Sequence, residues 1–406
     1  MTSFHPLRSL TWLALLLGVV LLAGCQNRFE LPDPRQTPGG LQNTKNGERL
    51  PADAPIVTPN ANGEIIGSGP HRVALLVPMG APGGGGIAGR QIAKAAKLAM
   101  RDHGTGRLQL VIKDTKGQSS QAQILASEAI SEGAGIVIGP LFSSSVSAAS
   151  AITEPSGRPM IGFSSDQNRA RPGVYLLTFP PQADIERTVN YTMSQGVRRV
   201  FAMLPKGSYG DLVERQLRAT LIAGGGNLSR VARHESNNDS ISAAARSIAP
   251  DLAPGVGLYI PEGGQVPAAI VAALQRSGAN LGGVQLMGSG QWSTVDAANR
   301  ALEGAIFAGP DDRSFANFSR AFEITNGEKP NATAGLGYDA VSLAAELVRR
   351  NPQRPFSRPA IEASAGFSGV GGLFRLRPTG RIQRGLVVFQ IRGGQTTIIS
   401  PAPSGF

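Results

Sequence analysis

Gly84, Gly86 and Gly89 in the stretch VPMGAPGGGGIAGR satisfy G-x-G-x-x-G. That spacing can bring a backbone close to a pyrophosphate at a helix N-terminus. A strand-like run, RVALLVP, precedes it, and a helix-like run, QIAKAAKLAMRDH, follows it. The fit fails at the first glycine, which should close a tight turn directly after the strand. Here PMGAPGG stands between the last strand residue and Gly84. The stretch therefore reads as a glycine-rich loop at the mouth of a cleft, and no cofactor is expected.

The rest of the chemistry is sparse. The four histidines, His5, His71, His103 and His234, show no metal-ligand spacing and read as lone surface residues. There is no H-E-x-x-H, G-x-S-x-G, S-x-x-K or G-K after a glycine loop. Asp311-Asp312 falls at a strand-to-helix junction, where the helix dipole favours negative charge. No catalytic residue, no metal site and no enzymatic activity are expected.

The N-terminus bears on the compartment. MTSFHPLRSLTWLALLLGVVLLAGC has one basic residue, Arg8, then an unbroken small-and-apolar run from Leu13 to Gly24. The run is short for a membrane span and suits a secretory signal over residues 1–24. Leu22-Ala23-Gly24-Cys25 resembles the bacterial lipobox, which implies cleavage before Cys25 and a lipid on its sulfur. Cys25 is the one cysteine of the chain. Gln26, rather than aspartate, follows it, which by the usual sorting pattern implies the outer membrane. Nicotinamide and flavin pools are cytoplasmic, so an exported chain is a poor host for a dinucleotide.

With 406 residues and a 24-residue signal, the chain fits two domains of ordinary size. Its net charge is +11, spread as scattered arginines such as Arg158, Arg169, Arg171, Arg198 and Arg199. Aromatics are 5% and do not interleave with the basic residues, so nucleic acid is not expected as a partner. The excess could attract anionic headgroups, an acidic wall polymer or an acidic protein face. An arginine-rich genome would explain it equally well.

Residues 25–70 are rich in Pro, Asn and Gly, without a sustained apolar period, and read as a disordered tether. A flexible segment of that length would span roughly 35–40 Å. From His71, strand-like runs alternate with helical ones: VALLVP, LQLVIKD, GIVIGP and RPMIGFS, then RRVFAMLP, GVGLYIP and GGVQLMG. Continuous apolar strands between amphipathic helices predict parallel sheets covered on both faces. The tail, GLFRLRPTGRIQRGLVVFQIRGGQTTIIS, alternates with period two, as antiparallel strands do around Pro378-Thr379-Gly380 and Gly393-Gly394.

IGPLFSSSVSAASAI, MIGFSSD, LPKGSYGDL, VQLMGSG and GLGYDAVSLAAELV come in an order that resembles the type I periplasmic binding proteins, in their branched-chain amino-acid receptor branch. The resemblance covers roughly residues 71–395. It implies an α/β fold of two doubly wound, Rossmann-like lobes with a cleft between them and three crossovers. Lobe 1 is expected over residues 71–180 and 306–355, and lobe 2 over 181–305 and 356–400. The helix Ala334–Arg349 should return to lobe 1 and the tail hairpin to lobe 2.

In such receptors a ligand sits at the carboxyl ends of the strands. The positions implied are Met79, Ser143, Ser144, Ser164, Ser165 and Asp166 in lobe 1, with Tyr209 and Gly290 in lobe 2. Ser143 and Ser144 also fit helix capping alone. Amino-acid receptors of this branch carry an acid after the MG of the second lobe, where Ser289 and Gly290 stand here. Asp166 or Glu262 could substitute. The anchor, the tether and the altered site together resemble the penicillin-binding protein activator family. That resemblance implies a periplasmic, outer-membrane-anchored lipoprotein, with a bifunctional peptidoglycan synthase as partner and the membrane reached through the lipid. The alternative is a receptor feeding an ABC importer with an amino acid or another small polar ligand.

Overall fold

A computed structural model describes residues 60–406. The signal, Cys25 and most of the tether lie outside the described residues. The tether reading needs one correction: residues 60–70 are not all free of the head. Glu64–Ile66 forms β1, antiparallel to β3 (Leu108–Asp114). The Asn62 carbonyl accepts from Lys113 Nζ at 2.6 Å, and that ammonium is buried against Glu132. A buried ammonium needs such acceptors, which pins this part of the segment to the sheet.

The first sheet continues with β2 (His71–Val77), β4 (Ile136–Ile138), β5 (Met160–Gly162) and β6 (Val174–Leu176), in the order β1-β3-β2-β4-β5-β6. All pairs but β1–β3 are parallel. The six residues from Arg72 to Val77 are buried, as a strand covered on both faces requires. The covering helices are α1 (Gly83–Ala99), α2 (Ser119–Ser131) and α3 (Ser143–Thr153).

The glycine motif is not the loop that the sequence suggests. Gly84, Gly86 and Gly89 lie in the first two turns of α1. A Cβ at Gly86 would collide with the Ala81 carbonyl, and one at Gly89 would come within 2.7 Å of the Pro78 carbonyl carbon. The glycines let the helix start against the end of β2, with Gly84 facing open space.

The chain then crosses to a second lobe. There, α4 (Pro181–Ser194), α5 (Ser208–Ala223), α6 (Asn238–Ile248) and α7 (Val266–Arg276) accompany β7 (Arg199–Pro205), β8 (Asn227–His234), β9 (Gly257–Ile260), β10 (Gln285–Gly288) and β11 (Ile306–Gly309). It returns through α8 (Asp312–Asn326), α9 (Ala334–Arg350), the short α10 (Arg358–Ile361) and the strands β12 (Phe367–Gly369), β13 (Gly372–Leu376) and β14 (Ile382–Arg384). It ends in β15 (Val387–Arg392) and β16 (Gln395–Ser400). The second sheet has the order β16-β15-β11-β10-β9-β7-β8.

Helix α9 packs on α1 in the first lobe, where Gly337 admits the Ile92 backbone; a Cβ there would collide with the Ile92 carbonyl. Two boundaries differ from expectation. Strand β11 pairs with β10, so residues 306–309 belong to the second sheet. The strands β12–β14 form a separate three-stranded sheet whose Phe367, Phe374, Leu376 and Ile382 join the first lobe's core. Only the hairpin at Gly393-Gly394 joins the second sheet. Period-two alternation marks both hairpins and says nothing of which core receives the apolar face.

Candidate functional site

Three crossovers link the lobes, after β6, after β11 and after β14. The first runs from the carboxyl end of β6 to the start of α4, and the second from the carboxyl end of β11 to the start of α8. Both sheets therefore turn the carboxyl ends of their parallel strands toward the crossover side. The loops there are where open α/β sheets place ligands.

On the first lobe, Ser143 opens α3 and its Oγ donates to Asp166 Oδ2 at 2.7 Å. Arg169 Nε donates to the same carboxylate oxygen at 2.9 Å and to Ser143 Oγ at 3.0 Å, while Nη1 reaches Ser147 Oγ at 3.1 Å. Ser164 Oγ accepts the Asp166 amide at 3.1 Å. The Ser143 hydrogen bond first, and Arg169 with it, hold the Asp166 carboxyl below its usual range. The structure thus brings Ser143, Ser164 and Asp166 together. Ser144 and Ser165 are exposed and outside this network. Met79 follows β2, with its side chain against the first core and its carbonyl accepting from Arg90 at 2.7 Å. Arg169 was one scattered arginine in the sequence; only the fold shows what it ties.

On the second lobe, Tyr209 lies in the first turn of α5, half-buried, with its hydroxyl against Ser289 and Gln291. The Gly290 amide donates to Asp184 Oδ2 at 2.6 Å. A Cβ at Gly290 would stand 2.7 Å from that oxygen, so the glycine makes room for the acid. The carboxylate beside Gly290 comes from the first turn of α4, 106 positions away, and not from the loop after β10. Sequence spacing gave no sign of it. Asp184 Oδ1 is buried without a hydrogen-bond partner, as are both Glu262 carboxyl oxygens and the Tyr259 hydroxyl.

His234 is not a surface residue. It is fully buried at the end of β8, with Nε2 3.3 Å from Glu262 Oε1 but not aligned for a hydrogen bond. Burial pushes Asp184 and Glu262 each up to about 7 and pushes His234 down. Asp311 caps α8 by accepting the Arg313 amide, which accounts for that acid locally. Among the described residues no group of three or more His, Cys, Asp or Glu is placed to hold a metal ion.

These shifts have a measurable sign. The folded state holds Asp184 and Glu262 protonated to higher pH than the unfolded chain does, where carboxyls titrate near 4. Stability is therefore expected to fall as pH rises from about 4 through about 7. Buried His234 opposes this below its ordinary 6.5, but two acids outweigh one histidine. Urea midpoints measured from pH 4.5 to 8 should decline, and less so in Asp184→Asn. A wild-type curve that climbs throughout would contradict the assignment.

Two α/β lobes with polar groups gathered at facing strand ends define a two-lobed ligand binder. The chain belongs to the periplasmic binding protein family, whose model matches residues 70–395. Its members are periplasmic proteins that bind ligands and are not enzymes. Solved structures agree on the fold. A branched-chain amino-acid ABC transporter protein from Rhodospirillum rubrum is 20% identical with a TM-score of 0.68, covering 81% of this chain and 99% of that one. An ABC transporter substrate-binding protein from Desulfitobacterium hafniense, in complex with Leu, is 18% identical at 0.56, covering 81% and 99%. A solute-binding protein of an ABC transporter from R. palustris, in complex with benzoate, is 19% identical at 0.51, covering 82% and 97%. No curated protein matches the chain in sequence.

Proposed function

We propose that the chain is a solute-binding receptor that takes a small polar molecule between its lobes and delivers it to an ABC importer. The observation that carries this is the set of unsatisfied groups on the second lobe: Asp184 Oδ1, the Glu262 carboxyl and the Tyr259 hydroxyl. Buried polar groups are ordinarily hydrogen-bonded, and a ligand at the strand ends would complete these. The transporter receptors that share the fold support the same reading.

A second reading keeps the fold and changes the partner. Leu22-Ala23-Gly24-Cys25 and the long polar stretch after it favour a head tethered by lipid on Cys25 to the outer membrane. There it would activate a bifunctional peptidoglycan synthase through a surface patch of roughly 800 Å² per side.

The two are separated by one pair of measurements on the purified head. A thermal screen of polar solutes should give a midpoint rise that Tyr209→Ala abolishes. Glycan polymerisation by the organism's synthases should be unchanged by the head. No solute response together with stimulated polymerisation would replace the receptor with the regulator.

A further inference from the structure

We infer that the cleft is built for the ammonium group of an amine that carries no carboxylate, received on the second lobe between Asp184 and Glu262. The inference rests on the receptor reading and specifies its ligand. Asp184 spends one oxygen on the Gly290 amide and keeps the other buried and unpartnered. Glu262 has both oxygens buried and unpartnered. Ser289 Oγ donates to the Pro261 carbonyl, next to Glu262, and the adjacent Gly290 amide holds Asp184, so the loops after β9 and β10 bring both acids to the same strand ends.

Two neighbours outside the acid pair point the same way. The Tyr259 hydroxyl is fully buried, unpartnered and within reach of Asp184 and Tyr209. His234 is fully buried with Nε2 unpartnered, facing Glu262. With both acids ionised, acceptors outnumber donors in a site shielded from water. An ammonium supplies three N–H donors and a positive charge, which is what such a site lacks. Burial that favours the neutral acids would be offset when a cation arrives.

The first lobe excludes the carboxylate. A helix N-terminus with a nearby arginine is where an anionic ligand group would settle. At α3 no side chain caps the amides, but the arginine is already engaged: Asp166 takes the Ser143 hydroxyl and the Arg169 guanidinium. A ligand carboxylate would have to displace an internal one or lie beside it, and like charges placed together select against it.

Calorimetry on the purified head tests this with n-butylamine and 1,4-diaminobutane, against leucine and butyrate. At least one amine should bind ten times more tightly than leucine, and butyrate should give no heat. Asp184→Asn and Glu262→Gln should each weaken the amine at least tenfold. Asparagine keeps an acceptor for the Gly290 amide, and thermal midpoints confirm that the variants fold. Tight leucine or butyrate binding, amine binding indifferent to both substitutions, or no amine binding overturns the inference. The receptor reading falls only if the wider solute screen is also silent, so the two failures are distinguishable.

Discussion

Gly89→Ala is expected to destabilise the first lobe by ~3 kcal/mol or more, while Gly84→Ala, five residues earlier in the same helix, stabilises it by up to about 1 kcal/mol. The added methyl at Gly89 would meet the Pro78 carbonyl and the Met79 amide at 2.7–2.9 Å. Both are backbone atoms at the end of β2, so no side chain can swing aside. Either α1 lifts off the sheet, losing the burial of Ile92, Ala93 and Ala96 beneath it, or the strand end moves. At Gly84 nothing lies within 4 Å of the added methyl. There alanine only reduces the freedom of the unfolded chain and favours the helix. Urea unfolding of the two variants measures both signs. A Gly89→Ala midpoint equal to wild type would mean that α1 does not start against the strand as described.

Replacing Arg384 with methionine should cost about 3–5 kcal/mol at pH 8 and clearly less at pH 5. Arg384 ends β14 just before the third crossover, and its Nε donates to the Thr178 carbonyl at 2.6 Å, beside the first. Its guanidinium lies 3.6 Å over the Phe179 ring and is fully buried, which lowers its pKa to about 10. Asp339 on α9 is also buried, and Oδ1 accepts the Val370 amide at 2.6 Å. Burial pushes Asp339 up to about 6, even with the Arg384 charge pulling it down.

Without the arginine the Asp339 pKa rises further, so at pH 8 the folded state must either hold a buried anion with no counter-charge or take up a proton at a cost in free energy. Below about 6 it is protonated in the folded state and needs no partner, so the penalty shrinks as pH falls. Asp339→Asn in the Arg384→Met background should recover much of the loss at pH 8. Equal losses at pH 5 and pH 8 would show that lost packing on Phe179, not the charge, accounts for the effect.

How much of this was legible beforehand depends on whether a feature is local. The strands β2, β4 and β9 are continuous apolar runs, and a run buried on both faces belongs to a parallel sheet. Alternation with amphipathic helices then leaves few topologies open, which is why the two-lobed α/β fold could be read directly. The opening of α3 was legible as a local signal, but its serines do not cap it: Phe142 holds the cap position without a side-chain hydrogen bond, and Ser143 Oγ turns to Asp166 instead.

The site was legible only in part, because its groups meet across long stretches of chain. Asp184 reaches Gly290 across 106 positions, and His234 at the end of β8 faces Glu262 in the loop after β9, with β7 between the two strands. Nothing in a one-dimensional pattern distinguishes a buried histidine from an exposed one when each stands alone. The two tail hairpins share one alternation, yet one joins the first lobe's core and the other the second sheet. The glycine motif shows the same division. Its spacing was visible in the sequence, but whether it cradles a ligand or clears a path for backbone depends on what the fold presses against it. Here that is the Pro78–Met79 backbone. Sequence alone determined the kinds of elements and their order, because hydrophobic period and turn chemistry act between near neighbours. Tertiary structure decided which buried charges meet and which stay unsatisfied, because burial and electrostatic contact are properties of space and not of spacing.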